Sequence, residues 1–273
     1  MPAEETLRSR ANPLYKRLRA LKERGTERDL CLLEGPKLVR EALAASLVVL
    51  EAAFSPRAEA TPHGRAALAE LREREVPVRR MAAELLASLS EAETSQGLLA
   101  LARQPAFDEA QLFRGTPLVL VVEGVQNPGN VGGLLRTAEA AGASGVLLTA
   151  GTADPLSWKA LRGSMGSAFR LPHRAGRSAD EALDAVQERG LVVFATSADG
   201  DRRYDEADLR GPAAIVVGSE AAGVSPVVRA RAAARLRVPL AAPVESLNVG
   251  VAAALVLFEA ARQRGFPPAG ARV

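Results

Sequence analysis

A chain of 273 residues, 48% hydrophobic and 25% charged, is too long for the commonest single domain and too apolar for a disordered or fibrous polymer, so two globular domains are expected. One cysteine excludes an internal disulfide, two histidines form no cluster resembling a zinc site, and the longest apolar runs fall short of a membrane span. A net charge of +3 is too small to indicate a polyanionic partner, so the distribution of charge carries more than its total.

The opening stretch, MPAEETLRSR, lacks the apolar segment of a secretory signal. With no span either, a cytoplasmic protein without a membrane partner is expected. Arg8, Arg10, Lys16, Arg17, Arg19, Lys22 and Arg24 then crowd a stretch whose one acid is Glu23, while Leu14, Leu18 and Leu21 keep helical spacing. The pattern predicts a helix docked by its leucine face with a basic face outward. A merely solvated surface fits it as well as an RNA contact through Lys16, Arg17, Arg19, Lys22 and Arg24. Cys31, flanked by Leu30, Leu32 and Leu33, reads as a small buried residue.

Further along, strands are expected at 30–33, 47–54, 76–81 and 98–102, alternating with helices at 36–45, 62–75 and 82–90. This is a small α/β domain. Pro36 suits the first turn of its helix, where the missing N–H costs nothing. Polar residues 104–115, with Pro105 among them, predict a linker between a domain of residues 1–103 and one of residues 116–273. In the second domain, strands are expected at 118–122, 145–148, 191–196, 213–217 and 236–240, and helices at 131–141, 155–167, 179–188 and 247–262. Nearly continuous Val, Ile, Leu and Ala runs of this kind are buried on both faces, as in a parallel sheet flanked by helices.

Ligands of an open parallel sheet bind beyond the carboxyl ends of its strands. Three loops stand out there. EGVQNPGNVGGLLRTAEAAGA follows the strand ending at Val122. Asn130 is placed to cap its helix, Val131, Leu134, Leu135 and Ala138 to face the core, and Gly142 to end it. Gly132 and Gly133 weaken a helix and need a reason. They precede Arg136 by one turn on the same face, where missing side chains let another chain or a ligand reach the guanidinium. A surface or ion-paired arginine is the plain alternative. Neither GxGxxG nor GK[ST] is present, so a dinucleotide fold or phosphate loop fits poorly.

In VVGSEAAGVSP, an apolar strand runs into Gly218, Glu220 and Gly223 before Ser225-Pro226 opens a helix. A carboxylate at the end of a central strand is rarely there for packing, although pairing with an arginine would also explain it. In RVPLAAPVESLNVGVAAALVLFEA, Ser246 and Asn248 stand at the start of a long apolar helix. Ser246 is placed to be its N-cap, and free N–H groups there also suit the carboxylate of an amino-acid-like ligand.

Together NPGNVGGLLRTA, VVGSEAAGVS and VPLAAPVESLNVGVAAA, in this order and at these separations, resemble the SpoU (TrmH) branch of the SPOUT RNA methyltransferases. The resemblance covers about residues 116–264, and LSWKALRGSMGSAFRLP looks like that family's connecting segment. The basic helix followed by LCLLEGPKLVREAL is similar to the ribosomal-protein-like substrate-binding domain often fused ahead of it. The resemblance implies a small N-terminal α/β RNA-binding domain and a C-terminal parallel-sheet domain ending in a trefoil knot, an exception to the rule that chains avoid threading. It also implies a homodimer with the active site completed across the subunit interface, S-adenosylmethionine as cofactor, and 2′-O-methylation of a ribose, with ribosomal RNA preferred over transfer RNA. Asn130, Arg136, Glu220, Ser246 and Asn248 match the family's catalytic or site-forming positions. Gly218, Val238 and Leu247 match positions whose backbone holds the adenosyl group, and Thr196 ends another lining strand. Gly133 stands where many relatives carry alanine. The alternatives are an RNA-binding protein that keeps the fold without catalysis and a methyltransferase acting on a base nitrogen.

A ribose hydroxyl is a poor nucleophile, whereas a sulfonium is already a good methyl donor, so deprotonation and in-line alignment are the enzyme's task. The resemblance makes Arg136 the proposed base. A guanidinium, however, titrates above about 12. Either substrate phosphate and burial make transient proton loss feasible, or Arg136 stays cationic and stabilises the alkoxide while another group accepts the proton. Magnitude favours the second.

Overall fold

A computed structural model of the protein describes residues 6–24, 29–90 and 94–266. They fall into two compact units, one of residues 1–105 with 156–169 and the other of residues 106–155 with 170–273. The first unit begins with α1 (Pro13–Arg24), β1 (Leu30–Glu34), α2 (Pro36–Ala44) and β2 (Val49–Phe54). It continues through α3 (Pro56–Ala60), α4 (Pro62–Glu73), β3 (Val78–Arg80), α5 (Ala83–Leu89) and β4 (Leu98–Arg103).

Its sheet has the order β1-β4-β2-β3, with β4 antiparallel to both neighbours and β2 parallel to β3. Leu14, Leu18 and Leu21 of α1 are buried against Leu32, Leu86, Leu99 and Leu101, as the leucine spacing predicts. Each such side chain contributes roughly 1.5–3 kcal/mol of transfer free energy, which fixes the helix by that face. Cys31 is fully buried. Helix α3 is new: five residues carry too little periodicity to be read as a helix.

Residues 104–115 are more than a linker. Glu109–Phe113 form a 3₁₀ turn capped by Asp108, which accepts from Ala110 N at 3.1 Å while its own N–H donates to Gln111 Oε1 at 2.7 Å. The polar residues are thus the cap, and Leu112 within them is fully buried. It fits because Gly145 lacks a side chain: a Cβ there would lie 2.6 Å from Leu112 Cγ.

The second unit proceeds through β5 (Leu118–Val122), α6 (Pro128–Ala140) and β6 (Gly145–Thr149). Next comes α7 (Trp158–Ser164), which belongs to the first unit, and α8 (Ser167–Arg170). The single helix expected at 155–167 is broken at Met165 and Gly166, both at positive φ, 51° and 94°. The chain resumes with β7 (His173–Arg177), α9 (Ala179–Gln187), β8 (Val192–Thr196) and β9 (Arg202–Arg203). It ends with β10 (Ala213–Val217), α10 (Pro226–Arg231), β11 (Ala234–Arg237) and α11 (Val249–Gln263).

The second sheet has the order β7-β6-β5-β10-β8-β11-β9, and every pairing in it is parallel. Strands β5, β6 and β10 are buried at every residue, as continuous apolar runs require. The strand expected at 236–240 instead spans Ala234–Arg237, because Ala234 and Leu236 alternate inward with Arg235 and Arg237 and the ladder stops before Val238. No helix among the described residues is long and apolar enough to cross a membrane.

Candidate functional site

The three loops meet at the carboxyl ends of β5, β8 and β10. Helix α6 is capped by Asn127, not Asn130: with Pro128 in its first turn, Asn127 Oδ1 accepts from Gly129 N at 2.8 Å and Asn130 N at 3.4 Å. That leaves the Asn130 side chain for another task. Its Nδ2 donates to Glu220 Oε1 at 2.5 Å, and its Oδ1 accepts from Asn248 Nδ2 at 3.3 Å. Ser246 is likewise not the N-cap of α11. Asn248 is, its Oδ1 accepting from Gly250 N at 2.9 Å. One amide therefore joins residues 90 and 118 positions distant in the chain.

The Glu220 loop is held from several sides. Glu123, at the end of β5, accepts from Ser225 N at 2.9 Å, and Ser219 Oγ accepts from Ala222 N at 3.1 Å. Gly218 is required by close approach, since a Cβ there would lie 2.1 Å from the carbonyl carbon of Gly223. Beside this loop is a cavity of about 580 Å³ lined by Thr196, Gly218, Val238 and Leu247, with Glu220, Ser246 and Asn248 also on its wall. The four residues expected to hold a cofactor thus share one cavity with three of the five expected catalytic residues. Its size lies within the range of about 300–1,000 Å³ usual for small-molecule sites.

Asp199 and Arg229 also line this cavity and were not singled out in the sequence; Arg229 Nη1 lies 3.2 Å from Asp199 Oδ2. The Asp199 carboxyl is held below its ordinary range, first by the Ser197 hydroxyl and then by Arg229. The Asp199-Gly200-Asp201 turn after an apolar strand was the available signal. Glu123, a polar residue closing a buried strand, was another.

Arg136 stands apart. It is exposed, and among the described residues it makes no hydrogen bond or ion pair. Asn130, Gly133 and Arg136 follow at intervals of three along α6, so they are surface neighbours. Gly132 is buried, whereas a Cβ at Gly133 would meet nothing within 4 Å. Of the two glycines, Gly133 is therefore the one that leaves open space beside the guanidinium.

The basic helix is only partly available to a ligand. Lys22 Nζ donates to the carbonyls of Ser88 and Ser90 at 3.2 Å each, at the end of α5. Arg19 pairs with Glu23 at 2.6 Å. Lys16 and Arg17 are exposed, and the side chain of Arg24 lies outside the described residues.

Residues 117–258 match the SpoU rRNA Methylase family, and residues 12–100 match the MRM3-like substrate binding domain. The chain is 32% identical to the 23S rRNA (guanosine(2553)-2′-O)-methyltransferase of Bacillus subtilis, over 89% of this chain and 93% of that one. It superposes with a TM-score of 0.83 on a crystal structure of an RNA 2′-O ribose methyltransferase, at 33% identity over 96% of this chain and 100% of the other. The SpoU methyltransferase AviRb from Streptomyces viridochromogenes, solved with AdoMet, gives a TM-score of 0.81 at 29% identity, over 93% of this chain and 98% of the other.

Proposed function

The chain belongs to the SpoU rRNA methylase family, and on that premise we infer that it transfers the methyl group of S-adenosylmethionine to a ribose 2′-oxygen of ribosomal RNA. The observation that carries the site assignment is the amide of Asn130, held between Glu220 and Asn248, which both line the cavity, with Arg136, unpaired among the described residues, six residues further along the same helix.

The cavity suits the cofactor. Leu236, Val238, Leu240 and Leu247 give it apolar walls for an adenosyl group, and the backbone at Gly218 comes close because no Cβ intervenes. When bound, S-adenosylmethionine supplies an electrophilic methyl group on a sulfonium. Thr196, Gly218, Val238 and Leu247 hold it, and Ser246 and Asn248 shape the wall at the start of α11. The Arg136 guanidinium stabilises the 2′-alkoxide as it forms, where a fixed charge acts without reorganisation, while another group, solvent water at this exposed position, accepts the hydroxyl proton. Asn130, with both ends of its amide engaged, cannot swing, so it and Glu220 orient the ribose.

Residues 1–103 serve as the RNA substrate-binding domain and residues 116–273 as the catalytic domain; the family matches at residues 12–100 and 117–258 support this reading, although α7 of the second stretch packs in the first unit. Among the described side chains of α1, Lys16 and Arg17 are the cations free to meet RNA. The protein acts as a homodimer in the cytoplasm, with the segment that ends in α11 threaded into a trefoil knot. Support for the dimer comes from α11, where Val251 and Phe258 are 48% and 42% exposed and lie on one face with Leu255.

Labelled methyl transfer from S-adenosylmethionine to purified ribosomal and transfer RNAs lacking modification tests this reading. Incorporation into ribosomal RNA is expected. Incorporation into transfer RNA alone, or into neither, would overturn it.

A further inference from the structure

Arg136 has four neighbours one turn away on α6: Gly132 and Gly133 before it, Glu139 and Ala140 after it. Three of them offer no polar side chain. Glu139 offers a carboxylate three residues on, at the spacing where an arginine and a glutamate pair on a helix surface, and yet Arg136 makes no ion pair among the described residues. The reason lies outside the helix. Both oxygens of Glu139 accept from Arg170, Oε1 from Nε at 2.7 Å and Oε2 from Nη2 at 3.0 Å. Arg170 ends α8, within the segment LSWKALRGSMGSAFRLP, and like Glu139 it belongs to the second unit.

We propose that Arg170 is a positioning residue for methyl transfer, which holds the Glu139 carboxylate so that the Arg136 guanidinium stays open to the substrate. The proposal rests on the reading of Arg136 as the group that stabilises the 2′-alkoxide. Two arginines compete for one carboxylate, and geometry decides between them. Arg170 binds through two parallel N–H groups, the strongest arrangement an arginine and a carboxylate form. This pair is also part-shielded, its side chains 31% and 22% exposed, so solvent screens it less than a surface pair. A pair with Arg136 would involve an exposed guanidinium and would be weak beside it.

Without Arg170, Glu139 would harm the reaction twice. Its carboxylate would become a partner for Arg136, and its negative charge, with Cβ atoms roughly 5–6 Å apart, would oppose the alkoxide that Arg136 stabilises. With Arg170 in place the pair is neutral as a unit, and Arg136 meets the ribose with its charge undivided. The same contact also fastens α8 to α6. A fastening alone would cost the same whichever partner is removed.

Methyl transfer to ribosomal RNA is measured for Arg170→Ala, Glu139→Gln and the two combined. The value of kcat is expressed per cofactor-binding site counted by calorimetry, so that a variant that folds poorly loses sites rather than rate. Arg170→Ala is expected to lower kcat about fivefold, the scale of one partly screened charge near the reacting oxygen, with the affinity for S-adenosylmethionine unchanged. Arg170→Gln, which keeps more of the side chain, carries the same expectation if the alanine variant does not fold. Glu139→Gln should keep kcat within about twofold of wild type, and adding it to Arg170→Ala should restore the rate, because no carboxylate remains to be held. Equal losses in the two single variants, or no recovery in the combined one, would overturn the proposal. A second readout needs no methyl transfer: modification of Arg136 by phenylglyoxal, followed by peptide mass spectrometry, should slow about twofold in Arg170→Ala and recover in the combined variant. A protein that shows this change of reactivity but methylates no RNA contradicts the proposed function, whereas one that methylates with kcat unmoved by Arg170→Ala contradicts the role of Arg170.

Discussion

At the carboxyl ends of β5 and β10, Asn130, Glu220 and Asn248 are tied to one another and Arg136 is left unpaired; along α1, Lys22 and Arg19 are tied down and Lys16 and Arg17 are left in solvent. The ties differ in kind. Those of the first region join three loops and fix the orientation of groups around a cavity. Those of the second are a cap on α5 and a solvent-screened surface pair within one helix, which fixes little. The free cation of the first region shares its helix with Asn130, which is bonded to two residues of the cavity wall, whereas the free cations of α1 are exposed with no such neighbour among the described residues. The first arrangement suits chemistry at a defined atom and the second suits unspecific attraction.

Substitutions can break this contrast, and the largest effect should come from Arg136→Ala. Methyl transfer is expected to fall by about 10²–10³-fold or more, the cost of removing a preorganised electrostatic group, with cofactor affinity by calorimetry within about twofold of wild type. A near-normal rate would mean that the unpaired cation is only a surface residue. Gly218→Ala should act on the other half of the site. Its new Cβ clashes with the Gly223 backbone, at a cost of about 1–3 kcal/mol, and S-adenosylmethionine should bind about tenfold or more weakly.

Asn130 and Asn127 separate function from folding within one turn of α6. Asn130→Ala should lower kcat about tenfold with little change in the thermal midpoint. Asn127→Ala, which removes the cap, should cost about 1 kcal/mol of stability. The opposite pattern in thermal melts and kinetics would restore Asn130 as the cap.

For α1, the combined Lys16→Ala and Arg17→Ala variant should reduce the slope of log affinity against log salt for RNA by about 1–2. Lys22→Ala should leave that slope alone and lower the thermal midpoint by a few degrees. A slope change with Lys22→Ala would return it to the RNA-binding set.

The smallest effect concerns His173, buried in an edge-on contact with Phe107 and bonded through Nδ1 to the Leu171 carbonyl at 3.0 Å. Burial pushes its pKa below the ordinary 6.5, so the folded chain holds it neutral while the unfolded chain protonates it first. The stability this contributes is complete above about pH 6.5 and is lost as pH falls below it, toward the folded-state value. Thermal midpoints should decline from pH 6.5 to 5 in wild type and less in His173→Gln.

Much of the parallel sheet could be read in advance because β5, β6 and β10 are buried on both faces and leave uninterrupted apolar runs. The edge strands could not. HRAGR forms β7 and two arginines form β9 with little apolar pattern to mark them. Glycines beside Arg136 and Glu220 announced the site, since each weakens regular structure without an obvious packing return. The caps were misassigned for a different reason: NPGN offers two asparagines three residues apart, and only the proline after the first says which one starts the helix. Membership of α7 in the first unit depends on contacts between distant segments, which periodicity does not encode.

The central claim is that the methyl group arrives on a ribose oxygen. Ribosomal RNA methylated by the wild-type protein with labelled S-adenosylmethionine can be digested with nuclease and its nucleosides identified by mass spectrometry. All of the label in one 2′-O-methylated nucleoside is the predicted result; label on a base nitrogen, or none in the RNA, would contradict it.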